Sequence, residues 1–159
     1  MNAATVSDIL IKNPRLKYRQ GSYAFELTHK GDQVLFSVTD GKEILTLPVL
    51  YAFGLGTAGQ TYILQGKEGF YESRLSYYNK IGSLDVTIGQ STEPPHSLNE
   101  AIGRLMPKDE VLQCFGCHTT GAVKGGKLDQ QTLMPGIGCE TCHGPGGEHV
   151  ALGRQGAAN

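Results

Sequence analysis

The chain has 159 residues, with 14 basic and 15 acidic side chains and a formal net charge of -1. That length allows one core, or one modest domain with a small appended module, but not two full-sized domains. The balance of charge excludes the basic stripe with which nucleic-acid binders neutralise phosphates. No apolar run approaches the roughly 20 residues that span a bilayer, and the N-terminus MNAATVSDIL has neither the charged nor the apolar region of a secretory signal. The chain as given reads as soluble, without a transmembrane segment.

In chain order, residues 5–12 (TVSDILIK) predict one or two helical turns with Ser7 as N-cap. Tyr23, Phe25, Leu27 and His29 then alternate, Lys30-Gly31-Asp32 makes a turn, and Val34, Phe36 and Val38 alternate again, which is a hairpin by period and punctuation. Asp40-Gly41 marks the next turn before an extended run from Ile44 to Phe53, in which Pro48 suits an edge or a bulge. Gly54-Leu55-Gly56-Thr57-Ala58-Gly59 matches G-x-G-x-x-G, but no helical pattern follows it. It therefore reads as a glycine loop between antiparallel strands and not as a dinucleotide fingerprint. Strands over 60–65, 69–78 and 84–88 make residues 20–90 an antiparallel meander, sandwich or partly closed barrel.

From Pro94 the character changes. Ser97-Leu98-Asn99-Glu100 is a capping box that begins a short helix ending near Met106-Pro107, and a second helical turn is expected over 108–114. The 22 glycines are roughly double the ordinary share. They cluster in the tail, in TTGAVKGG, PGIG and HGPGG. A tail of that composition buries little side-chain surface, so something other than protein is expected to supply its core.

All four cysteines fall in two copies of one pattern, CFGCH at 114–118 and CETCH at 139–143. C-x-x-C-H is the attachment signature of c-type haem. The two thiols, three positions apart, reach the two vinyl groups on one porphyrin edge, and the adjacent imidazole lies beneath the ring to bind iron. Cys114, Cys117, Cys139 and Cys142 are thus the expected attachment points of two haem c groups, with His118 and His143 as proximal iron ligands. Two other readings compete. Four thiolates with 21 residues between the pairs approach zinc-ribbon spacing, but this leaves unexplained why histidine follows the second cysteine both times. Disulfides within C-x-x-C belong to a redox geometry beside a βαβ unit, and no such unit is predicted.

The second motif extends through Cys139-Glu140-Thr141-Cys142-His143-Gly144-Pro145-Gly146-Gly147-Glu148-His149. This resembles the C-x-x-C-H-G-P-G-x-x-H element of multihaem cytochromes similar to the cytochrome c554 family. Together with CFGCHTTG at 114–121, it also resembles bacterial proteins in which a β-rich N-terminal region precedes a haem pair. The resemblance is specific over 114–149 and loose over 20–105. It departs from the parent family in haem number, since c554 carries four and this chain has two sites. It implies close haem packing, with the second histidine of the element binding iron from the opposite side. It also implies haem attachment outside the cytoplasm. A periplasmic or otherwise extracytoplasmic location follows, with an export signal that was removed or replaced, or with this chain as part of a longer protein.

Pro145 and its glycines favour a tight reversal, and a six-residue stretch is short for rounding its own porphyrin, so His149 is expected to serve the first haem. The remaining histidines, His29 and His96, are candidate distal ligands for the second. His29 lies on the apolar parity of its strand, and His96 stands between Pro95 and Ser97. Met106 and Met134 are remoter candidates. Arg19, Arg74 and Arg104 are candidate partners for haem propionates, because guanidinium matches carboxylate geometry.

The expected fold is α+β, with a β-rich region over 1–93 and a mostly irregular, partly helical dihaem module over 94–159 packed on it. The expected function is electron transfer through two closely spaced low-spin haems, with redox proteins as partners. No acid and base pair stands out as catalytic. The alternative is a haem enzyme or gas-binding protein whose one five-coordinate haem acts on a small nitrogen oxide, hydroxylamine or peroxide.

Overall fold

The computed structural model describes residues 2–154 and divides into two compact units, Met1–Pro107 and Lys108–Asn159. Residues 155–159 of the expected dihaem module lie outside the described residues.

The first unit opens with a two-residue strand, β1 (Asn2–Ala3), a 3-10 turn (Ala4–Val6) and helix α1 (Asp8–Lys12). Ser7 caps α1 as expected. Its hydroxyl accepts from the Leu10 N–H at 3.4 Å and donates to Gln60 Oε1 at 2.6 Å, so one buried side chain both starts a helix and ties it to the sheet. Then follow β2 (Arg15–Gln20), β3 (Tyr23–Lys30), β4 (Gln33–Thr39), β5 (Ile44–Phe53), β6 (Gly59–Gln65), β7 (Phe70–Tyr78) and β8 (Ser83–Val86), each antiparallel to its predecessor. With β1 on β5, and β9 (Gly103–Leu105) on β7, the sheet has nine strands.

The sheet curls until its ends approach. Tyr18 Oη on β2 donates to Asp85 Oδ1 on β8 at 3.1 Å, and Gln20 Nε2 donates to Thr92 O at 2.7 Å. The result is a nearly closed, barrel-like sheet, the third of the three β architectures expected. Its interior is filled by the period-2 faces read from sequence: Phe25 and Leu27 of β3, Phe36 and Val38 of β4, with Leu64 and Leu75 from β6 and β7. Leu10 and Ile102, both about 1 % exposed, close the core from the helices.

β2 was not among the expected strands. Leu16 is its one buried residue, Tyr18 is half-buried, and Arg15, Lys17 and Arg19 point outward. Three charges in six residues hide the apolar alternation, and they are the charges that protect an edge from further pairing. Pro48 sits at the residue where β5 changes partner. Ile44 to Pro48 pair with β4, Val49 to Phe53 pair with β6, and the register shifts between Val49 and Tyr51. The expected bulge is therefore present, at the handover where a missing N–H costs least.

Helix α2 (Leu98–Ile102) starts at Ser97, whose hydroxyl accepts from the Glu100 N–H at 3.2 Å. The Glu100 carboxylate accepts from the His96 N–H at 2.9 Å, one residue before the N-cap N–H that donates in the usual capping box. The helix does not continue to Met106-Pro107. Gly103 adopts φ 140°, and Gly103–Leu105 pair with Ser73, Glu72 and Tyr71 of β7. The Met106 N–H then donates to Phe70 O at 2.9 Å. Because the edge of β7 captures this segment, residues 94–107 belong to the sheet unit, and the units divide after Pro107 instead of before Pro94.

The second unit contains α3 (Lys108–His118), four two-residue strands, β10 (Thr119–Thr120), β11 (Val123–Lys124), β12 (Lys127–Leu128) and β13 (Met134–Pro135), and helices α4 (Cys139–His143) and α5 (Gly147–Arg154). β10 pairs with β13, and β11 with β12 across Gly125-Gly126. Those glycines have φ of 55° and 71°, the left-handed values a two-residue hairpin turn requires. α3 runs through the whole first motif instead of stopping at 114, and GEHVALGR closes the tail with a helix that the sequence reading did not expect. Among the described residues, this unit buries only Val111, Phe115, Ala122, Thr119 and Thr120.

Candidate functional site

The first motif occupies the last turns of α3. Cys114, Cys117 and His118 stand at i, i+3 and i+4, so their side chains share one helical face. Val111 and Phe115, four apart, form the neighbouring stripe and are buried, at 7 % and 0 % exposure. They hold the helix down, leaving Cys114 half-buried and Cys117 and His118 exposed.

The second motif is α4 itself. Cys139, Cys142 and His143 repeat the i, i+3, i+4 arrangement, all exposed, and α4 buries none of its residues. Gly144, at φ 74°, ends the helix by donating its N–H to Glu140 O at 3.0 Å. The Glu140 carboxylate then accepts from the Gly146 N–H at 2.7 Å, which fixes the turn into α5. His149 lies in the first turn of α5 and is exposed.

The two motifs are joined by threonines that sequence reasoning missed. Thr120, two residues after His118, accepts from the Gly138 N–H at 2.8 Å and lies 2.7 Å from the Thr141 hydroxyl, inside the second motif. Both motifs line one hollow of about 290 Å³, with Gly116 on one side and Glu140 and Thr141 on the other. A threonine two residues outside a motif, or at a variable position within it, gives no period or spacing signal.

The donor set fits covalent haem c. Each copy offers two thiols and an imidazole on one accessible helical face, the chemistry that thioether formation and axial ligation need. It does not fit a four-thiolate zinc site, which requires the four sulfurs to converge. Among the described residues, no three His, Cys, Asp or Glu side chains come together to hold a metal ion.

The other histidines belong to the first unit. His29 faces Val34 across the β3–β4 hairpin, and its N–H donates to Pro14 O at 2.8 Å. The residue is half-buried, and its Nε2 is buried with no hydrogen-bond partner among the described residues. His96 is exposed before α2. Met106 is buried in the first unit, and Met134 is half-exposed on β13.

The arginines fare differently. Arg74 is 2 % exposed. Its Nε donates to Gln20 Oε1 at 3.1 Å and its guanidinium also donates to the carbonyls of Ser91, at 3.0 Å, and Glu93. Its role is to hold the 91–93 loop, which corrects its reading as a propionate partner. Arg104 pairs with Glu72 at 2.8 Å, while Arg19 is exposed on β2.

A family model described as cytochrome c554 and c-prime matches residues 87–144, a stretch that contains both motifs. The chain therefore carries a segment similar to c554-type cytochromes. One curated relative is cytochrome c-554 of Nitrosomonas europaea, 33 % identical over 79 residues, which cover 45 % of this chain and 32 % of the relative. The chain thus matches about a third of the length of that relative. No solved structure matches. No helix among the described residues is long and apolar enough to cross a membrane.

Proposed function

We propose that the chain serves electron transfer as a c-type cytochrome carrying two haems, one on Cys114, Cys117 and His118 and the other on Cys139, Cys142 and His143. The observation that carries this reading is the repeated i, i+3, i+4 face of two thiols and one imidazole, built on two separate helices and using every cysteine of the chain. Haem c supplies a one-electron iron couple when bound. The cysteines fix its edge, His118 and His143 bind its iron, and the protein around them tunes the potential through burial and nearby charge. His149, at the start of α5, is the proposed ligand for the far side of the first iron. Attachment of this kind places the protein outside the cytoplasm, with redox proteins as partners.

Absorption spectra of matured protein, oxidised and reduced, with and without carbon monoxide, test this. Low-spin c-type bands that ignore the gas are expected. A high-spin band and a shift with carbon monoxide would instead favour the gas-binding or enzymatic reading. Substituting His149, His29 and His96 by Ala one at a time identifies the imidazole that closes an iron, because only its loss creates a carbon monoxide response. That response is expected from His149→Ala.

A further inference from the structure

We propose that Thr120 and Thr141 are positioning residues that fix the second motif against the first and so set how strongly the two haems couple. This rests on the two-haem reading above.

The observations form one connected path. Thr119 Oγ1 donates to Phe115 O at 2.6 Å, tying β10 back to α3 inside the first motif. Its neighbour Thr120 is 7 % exposed, so its hydroxyl must find partners within the protein. It has three: the Gly138 N–H at 2.8 Å, the Thr141 hydroxyl at 2.7 Å and Gly136 O at 3.2 Å. A hydroxyl has one proton and two acceptor positions, and one assignment satisfies all three. In that assignment Thr120 donates to Gly136 O and accepts from both the Gly138 N–H and the Thr141 hydroxyl, whose single proton then goes to Thr120 rather than to Thr119 O, 3.4 Å away.

Gly138 immediately precedes Cys139, and Thr141 immediately precedes Cys142. The clamp therefore grips the second motif at both of its cysteines. Gly138 also provides the room, since a Cβ there would stand 3.0 Å from Thr120 Oγ1. α4 has no side-chain cap of its own and no buried residue. Little else within α4 determines where its cysteine face points, and orientation of a cofactor group depends on such supporting hydrogen bonds.

The test uses fully matured protein carrying Thr120→Val, Thr141→Val or the conservative Thr120→Ser. Electron paramagnetic resonance of the oxidised proteins is read together with intact mass and melting temperature. Wild type should show two haems and interacting ferric signals. Both valine variants should keep two haems and low-spin bands, lose that interaction and give two isolated signals, while Thr120→Ser restores the wild-type spectrum. Loss of the second haem in Thr120→Val, with retention in Thr120→Ser, would equally support the clamp.

An unchanged interaction in Thr141→Val with both haems attached would overturn it, even if the melting temperature fell. Thr141 is half-buried, so this variant provides a readout if Thr120→Val fails to fold. Fewer than two haems on wild type would overturn the two-haem reading and the clamp with it, a failure that the wild-type mass alone identifies.

Discussion

Arg74 and Ser7 are polar side chains buried in the first unit. Each is more than 97 % buried, and each bridges segments far apart in the chain. Replacing Arg74 by Met keeps the apolar stem but strips Gln20 Oε1 and the carbonyls of Ser91 and Glu93 of their donor. The cost should be about 3 kcal/mol, seen as a lower urea midpoint at unchanged slope. A loss under about 1 kcal/mol would place the guanidinium in solvent and contradict the structure. Ser7→Ala removes a cap and a bond to Gln60, with an expected loss of about 1–2 kcal/mol by the same measurement.

Carboxylates give the pH dependence its sign. Glu26 is held below its ordinary value of 4.5, chiefly by a hydrogen bond from Arg15. Asp40 is held below 3.8 by the backbone N–H groups of Glu43 and Lys42, both at 2.8 Å. Asp129 is held below 3.8 chiefly by hydrogen bonding from Thr132. A depressed carboxylate stabilises the fold fully above its ordinary value and loses that contribution as pH falls through the lowered one. Stability should therefore be flat above about pH 5 and decline below pH 4. Arg15→Gln should weaken the decline on the Glu26 side. A stability maximum at pH 3 would contradict these assignments.

At the scale of elements, Gly103 decides where α2 ends. Its φ is 140°, and a Cβ there would stand 2.1 Å from Glu72 O, which is backbone and cannot rotate away. Gly103→Ala should detach β9 from β7 and cost about 3 kcal/mol or more. Gly82, at φ 61° with open space around it, should lose only about 1 kcal/mol on the same change. Comparable losses at the two sites would argue against the β7–β9 pairing.

The hairpin β3–β4 was legible because apolar residues recur every second position, and strands β6 and β7 because their extended runs are bounded by glycine- or asparagine-containing turns. β2 was not, since its outward face is charged, and β9 was not, because a strand of three residues exists only through the edge it joins. The helix after Ser97 was legible in its start, where capping chemistry is local. Its end depends on the neighbouring strand, which no window of local sequence contains.

At the scale of the molecule, the first unit has an apolar core drawn from seven strands, two α-helices and the 3-10 turn, whereas the second buries five residues among those described. Hydrogen exchange on a haem-free variant with all four cysteines changed to Ala should find slow amides in 23–39 and 59–78 and fast exchange over 139–154. Equal protection in both stretches would mean that the tail needs no cofactor to order it. The proposed attachment residues stand out in the sequence as a motif, since haem chemistry dictates both residue type and spacing. Thr120 and Thr141, which join one motif to the other, do not stand out, nor does Glu140, which fixes the turn from α4 into α5, because nothing in local spacing encodes such bonds.

The count of covalently attached haems tests the central claim most directly. Intact mass of the protein matured outside the cytoplasm should equal the chain plus two haem groups, and the double change Cys114→Ala/Cys117→Ala should leave one. A wild-type mass equal to the bare chain, or to the chain with a single haem, would contradict the account.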